Sequence, residues 1–236
     1  MKLFPATLLS LLLAFSMGQA LAQSPKGNGN VITQQREVKA FTGVEAGGLF
    51  DVFIIWGDRQ KVVIEADENL QRFIKAEVKN GVLHLSQTQT LKNVTKLKAY
   101  VTTDVLSSLE ISGAADVECS APLQSKSLKI VLSGAGDLDL KVVGERLDCE
   151  VTGASTVRIG GTVKEIHMEV SGSGDLVARD LLSEVGHVSV TGNADVYVHL
   201  TREIHAKITG AGNVYCSGNP AVRDVQVSGL GEVTYK

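Results

Sequence analysis

The sequence predicts an all-β fold, a single-stranded parallel β-helix (β-solenoid) with coils of about 19 residues, and three observations predict it. First, a corner of small residues recurs at a steady step. Ser112-Gly113-Ala114-Ala115-Asp116-Val117 returns as Ser133-Gly134-Ala135-Gly136-Asp137-Leu138 and then five more times. Its glycines stand at Gly113, Gly134, Gly153, Gly172, Gly192, Gly210 and Gly229, 18–21 residues apart. Second, apolar residues alternate on both sides of each glycine. Third, 24 glycines, 4 prolines and 5% aromatic residues suit many tight corners around small side chains better than one core of large rings.

The first element in chain order is an expected signal peptide over residues 1–22. It has a basic start at Lys2, an apolar run from Leu8 to Phe15 and an Ala20-Leu21-Ala22 exit. That run is shorter than the ~20 residues that span a bilayer, so cleavage rather than anchoring is expected, with no transmembrane segment after signal removal. The mature chain is then exported, to the periplasm or the outer-membrane or cell surface. Residues 23–35, with Gly27-Asn28-Gly29-Asn30, read as a flexible lead. Residues 36–105 read as irregular N-terminal β coils. They carry hairpin-type signals at Trp56-Gly57-Asp58 and Asn80-Gly81 and a polar loop over 86–95. Residues 106–236 are the regular β-helix repeats, and 36–236 form one continuous domain.

Within the repeats, position −2 from each glycine reads Ile111, Leu132, Val151, Val170, Val190, Ile208, Val227, and +4 reads Val117, Leu138, Val157, Leu176, Val196, Val214, Val233. Positions −4 and +6 are mostly apolar as well. Period-two alternation with one apolar side is a half-buried strand. One coil cannot bury its own apolar face, but stacked coils bury a continuous one. Each fully buried Val, Leu or Ile then contributes roughly 1.5–3 kcal/mol. An internal period of two rather than 3.6 excludes helical solenoids, and a propeller needs about twice this repeat length. An outlying copy of the corner, Gly47-Gly48-Leu49-Phe50-Asp51-Val52, opens the domain.

Together with the stretches Arg36 to Val44, Phe50 to Ile54, Val63 to Leu70 and Asn80 to Leu83, these repeats resemble the head, or GIN, domain family of auto-transporter adhesins over nearly the whole mature chain. The resemblance implies a right-handed β-helix and a cell-envelope location. A translocator barrel of ~10-residue alternating strands is not expected after Tyr235-Lys236, so the expectation is an envelope binding or adhesion module without auto-transport.

Three columns could carry chemistry. Position +3 reads Asp116, Asp137, Thr156, Asp175, Asp195, Asn213, Glu232. Stacked carboxylates suggest Ca²⁺, but Asp and Asn after a glycine corner also accept turn N–H groups, and turn capping is the expected role. Position −5, outward by parity, reads Ser108, Lys129, Asp148, His167, His187, His205, Asp224, with Glu169 beside it at −3. Imidazole plus carboxylate could hold Zn²⁺, and neighbouring histidines could sense pH. Exposed strands also accept His freely, and ladder spacing is tight for three ligands on one ion. No metal, cofactor or catalytic residue is therefore assigned. At +5, Tyr197 and Tyr215 on adjacent coils could stack on a sugar, or simply on each other. Cys119, Cys149 and Cys216 fall on inward positions too far apart for a disulfide, and read as buried thiols.

A net charge of −3 gives no electrostatic reason to expect nucleic acid. A polysaccharide-active enzyme would need a cleft with converging acid, base and cation. Arg146, Arg158, Arg179, Arg202 and Arg223 share no register with an acidic cluster, and no long loop interrupts the coils after residue 106. A non-catalytic module for a glycan or an envelope protein is the expected function. The alternative is a structural scaffold that forms end-to-end homo-oligomers through the open edge of its last strands.

Overall fold

The computed structural model describes residues 24–236, which are nearly all β, and the signal peptide expected over residues 1–22 lies outside them. In chain order come β1 (Val31–Arg36), β2 (Gly43–Gly48), β3 (Asp51–Trp56) and β4 (Lys61–Asp67). A 3-10 turn (Glu68–Phe73), β5 (Ile74–Lys79), β6 (Val82–Gln87) and β7 (Leu97–Thr103) follow. The repeats supply β8 (Ser108–Gly113), β9 (Val117–Cys119), β10 (Leu123–Gly134), β11 (Leu138–Gly153), β12 (Thr156–Thr162) and β13 (Glu165–Gly172). They continue with β14 (Asp175–Gly192), β15 (Asp195–Gly210), β16 (Asn213–Ser217), β17 (Val222–Gly229) and β18 (Val233–Tyr235).

The repeats wind as a β-solenoid of about 7 turns with ~19-residue coils. The corner glycines align from coil to coil: Gly48 with Gly113, then Gly134, Gly153, Gly172, Gly192, Gly210 and Gly229. Every pairing among these coils is parallel, as a coiling chain without hairpins requires. The ladder does not break at the corner. Ala135 N–H donates to Gly113 O at 2.9 Å, and Ser173 N–H to Gly153 O at 3.0 Å. That carbonyl, aimed at the next coil, is why the column must be glycine. At Gly172, φ is 135° and an added β-carbon would sit 2.3 Å from Gly153 O.

The columns at −2, −4, +4 and +6 point inward through the middle of the stack, as their parity predicts. A further inward column at −6, read as nothing in the sequence, contains Leu128, Leu147, Ile166 and Ile204. It is broken by Gly186, where a β-carbon would meet Leu200 Cδ1 at 2.6 Å, so the Leu200 side chain occupies the room that a larger residue would take. Consecutive exposed residues at Arg179-Asp180 reset the alternation and mark a second corner in β14. One apolar cluster runs through all coils, from Phe41 to Cys216.

The N-terminal part corrects three expectations. Residues 31–35 are not a flexible lead. β1 pairs antiparallel with β4 from Val31↔Asp67 to Arg36↔Val62, and the stretch before it is tied down by Gly29 N–H donating to the buried Asp67 carboxylate at 2.7 Å. A polar edge strand carries little apolar alternation, so its sequence looks like linker. The turn at Trp56-Gly57-Asp58 does not close a hairpin, because β7 lies between β3 and β4, parallel to one and antiparallel to the other. Asn80-Gly81 does close one: both residues have positive φ, and β5 pairs antiparallel with β6. Residues 36–105 are therefore only partly coils. β2 and β3 make a coil under β8 and β9, β6 and β7 make another under β2 and β3, and β5, β4 and β1 flank it antiparallel. The 3-10 turn joins β4 to β5 and buries Leu70 completely.

The other end is bare. β17 is exposed along its whole length, Val222, Val225 and Val227 included, and Leu230 is 92% exposed.

Candidate functional site

A strand places residues two apart on one face, and parallel registration places equivalent residues of successive coils side by side. The −5 column obeys both rules. His167 pairs with His187 and His187 with His205, and their rings stack at centroid distances of 4.4 and 4.8 Å. They line a shallow groove of about 680 Å³ that runs across the coils from Lys129 to Gln226.

The three rings do not share one environment. Nε2 of His167 lies 2.5 Å from Oε1 of Glu165, two residues before it on β13. His205 turns to Asp224, with Nδ1 3.4 Å from Oδ2, and to Glu203 at 3.8 Å. His187 lies between two other imidazoles. Burial first, and then the neighbouring His167 and His205, hold its pKa below the ordinary histidine value, which favours the neutral ring. The hydrogen bond from His167 holds the Glu165 carboxyl below the usual carboxylate range. Arg146, one coil back, forks Asp148 at 2.7 to 3.1 Å and reaches Glu165 Oε1 at 3.2 Å. An arginine that sequence spacing grouped with no acids thus stands between two.

Sequence parity singled out Glu169 as the carboxylate beside the histidines, but the structure brings Glu165 in instead. Both lie two residues from His167 on the same face, but Glu165 stands beside Arg146 and is half-buried, whereas Glu169 stands beside Glu150 and is exposed. Donor atoms of Glu165, His167 and His187 all lie within 4.8 Å of one another. His205 stands one rung outside that set.

The +3 column caps backbone. Asp137 N–H donates to Asp116 Oδ1 at 3.0 Å, Thr156 N–H to Asp137 Oδ1 at 3.1 Å, and Glu232 N–H to Asn213 Oδ1 at 3.2 Å. Each side chain therefore satisfies the coil above it rather than its own turn. At +5, Tyr197 and Tyr215 stack at 4.7 Å, with the Arg179 guanidinium 4.6 Å from the outer face of one ring and the Lys236 ammonium 5.6 Å from the other. A cation thus stands over the outer face of each ring, where a stacking sugar would compete with it. The cysteines are free: Cys149 and Cys216 are buried as expected, which pushes their thiols up to about 12 and about 11, but Cys119 is only half-buried. Among the described residues no helix is long and apolar enough to cross a membrane.

The model of one family, described as "Putative auto-transporter adhesin, head GIN domain", matches residues 40–220. Solved structures share the fold. A "putative adhesin" from Bacteroides fragilis superposes with a TM-score of 0.86 at 23% identity, covering 89% of this chain and 99% of that one. A "putative lipid binding protein" from Parabacteroides distasonis gives 0.77 at 20% identity, covering 91% and 100%. A "putative adhesin" from Parabacteroides merdae gives 0.71 at 23% identity, covering 89% and 98%. No curated protein sequence matches the chain.

Proposed function

Because this chain belongs to the head GIN domain family, we propose that it is an exported, non-catalytic binding module of the cell envelope, adhesive in kind, that presents one flat face of its coil stack to a glycan or an envelope protein. The observation that carries the reading is the face bearing the −5 column. Charged and hydrogen-bonding side chains stand there in register over six coils, from Lys129 to Asp224, along one continuous groove. A periodic polar surface of that length suits a long partner with repeating polar groups. The adhesin descriptions of the family and of two of the neighbours support the same reading, as does the signal-like character of residues 1–22.

A glycan array combined with a turnover screen, run with and without EDTA, tests it. Binding without product is the expected result. Product formation overturns the non-catalytic reading, and silence on every glycan moves the partner to envelope protein.

One observation favours a second reading, a scaffold that assembles through its end. The last coil leaves the inward valines Val225 and Val227 uncovered, while the first coil is flanked by antiparallel strands. A second copy that meets the bare end would cover these side chains and pair the open strand edge.

A further inference from the structure

We propose that Glu165, His167 and His187 form a binding site for one divalent transition metal of the zinc class. This goes beyond the adhesion reading and does not depend on it.

Two imidazoles and one carboxylate are the donor set that borderline-soft zinc takes where an open fourth position is kept. Calcium and magnesium prefer all-oxygen shells and gain little from two ring nitrogens. The geometry is close to what zinc asks. Donor atoms around a tetrahedral zinc stand about 3.3 Å apart, given bonds of ~2.0–2.1 Å. Here they span from 2.5 Å, between Glu165 and His167, to no more than 4.8 Å. Closing the difference takes rotation of the side chains, the two stacked rings included.

The platform is rigid where it matters. Glu165 and His167 project from one strand two residues apart, and His187 comes from the strand hydrogen-bonded beside it, in direct register with His167. The three side chains are half-buried, with one side open to the groove for a water or a partner's ligand.

The surroundings also fit. Arg146 donates to Glu165 Oε1, the same oxygen that meets His167 Nε2, and so anchors the carboxylate by one oxygen, as ligating carboxylates are commonly hydrogen-bonded. Its own charge is answered by the bidentate contact with Asp148, so it opposes a cation less than a free guanidinium would. His205 is not part of the set. It stacks on the far face of His187 and is engaged by Asp224 and Glu203. His167 and His187, stacked 28° from parallel, share an ion with Glu165 only once their rings turn out of the stack, whereas His205 is held by its own carboxylates.

The test is isothermal titration of the metal-stripped protein with Zn²⁺. The expected result is one zinc per chain, with His187→Ala and Glu165→Gln each weakening binding by about tenfold or more. His205→Ala, on the same ladder but outside the triad, is expected to stay within about twofold of the wild type. Unchanged circular dichroism in all three variants separates lost ligands from lost fold. Ring resonances of His167 and His187, and not of His84, should shift on titration. Wild type and His187→Ala indistinguishable in zinc affinity would overturn the site. So would His205→Ala and His187→Ala weakening it equally, which would reduce the ladder to a nonspecific array of imidazoles.

Discussion

At Gly172 two penalties coincide, a backbone φ of 135° that side chains avoid and a neighbouring carbonyl oxygen 2.3 Å from where a β-carbon would stand. Gly172→Ala should therefore destabilise the protein by about 3 kcal/mol, read as a lower urea midpoint at unchanged slope. Asp67 makes a different contribution. Burial pushes its pKa up, but hydrogen bonds from Thr95 N–H, Thr95 Oγ1 and Gly29 N–H prevail and hold it below the usual carboxylate value. A carboxyl with a folded pKa below its unfolded value contributes its full stability above the unfolded value, about 3.9, and loses it as pH falls through the folded one. Asp67→Asn should cost on the order of 2 kcal/mol at pH 7, and its gap to the wild type should narrow below about pH 4. Denaturation midpoints of both proteins across that range check it. At this scale the candidate site was half legible. The histidine column follows from position parity alone, because equivalent positions stack. Choosing Glu165 over Glu169 does not, because both have the same parity and only their cross-strand neighbours, Arg146 and Glu150, tell them apart.

Between elements, the −6 column illustrates how one coil compensates for its neighbour. Gly186 leaves a gap in β14 that Leu200 of β15 fills from another position. Leu200→Ala should therefore cost about 2–5 kcal/mol, since Leu200 is fully buried and supplies the three atoms nearest that space. Adding Gly186→Ala should recover part of that loss, which a comparison of thermal midpoints for the single and double variants would show. The coils themselves were legible because their apolar alternation is strong and their period is fixed. β1 was not: Val31-Ile32-Thr33-Gln34-Gln35-Arg36 buries little, and its pairing is made by the backbone, which leaves no pattern in side chains. Nor was the placement of β7 between β3 and β4. A Trp-Gly-Asp turn looks the same whether the strands it joins touch or lie one strand apart.

As a whole, the molecule is a stack with unlike ends. Flanking strands and a buried Leu70 finish one of them, while the other presents Val225, Val227 and Leu230 to solvent. Association through that bare end should appear as a concentration-dependent sedimentation coefficient, and Val225→Lys with Val227→Lys should abolish it. A sedimentation coefficient that is constant on dilution in the wild type would remove the scaffold reading and leave the flat face untouched. The stacking order also bears on how the chain assembles in time. β6 and β7 lie under β2 and β3 although they follow them in the chain. From β8 onward, each new coil can settle on a template already laid, one short step behind the point where the polypeptide emerges. The bottom of the stack has no such template until residue 103 is free, so β3, whose partners β7 and β9 both come later in the chain, must wait with both edges unpaired. Release of that first hundred residues, rather than the laying of any later coil, then sets the clock for folding, and it is during that wait that a holding chaperone would find its substrate.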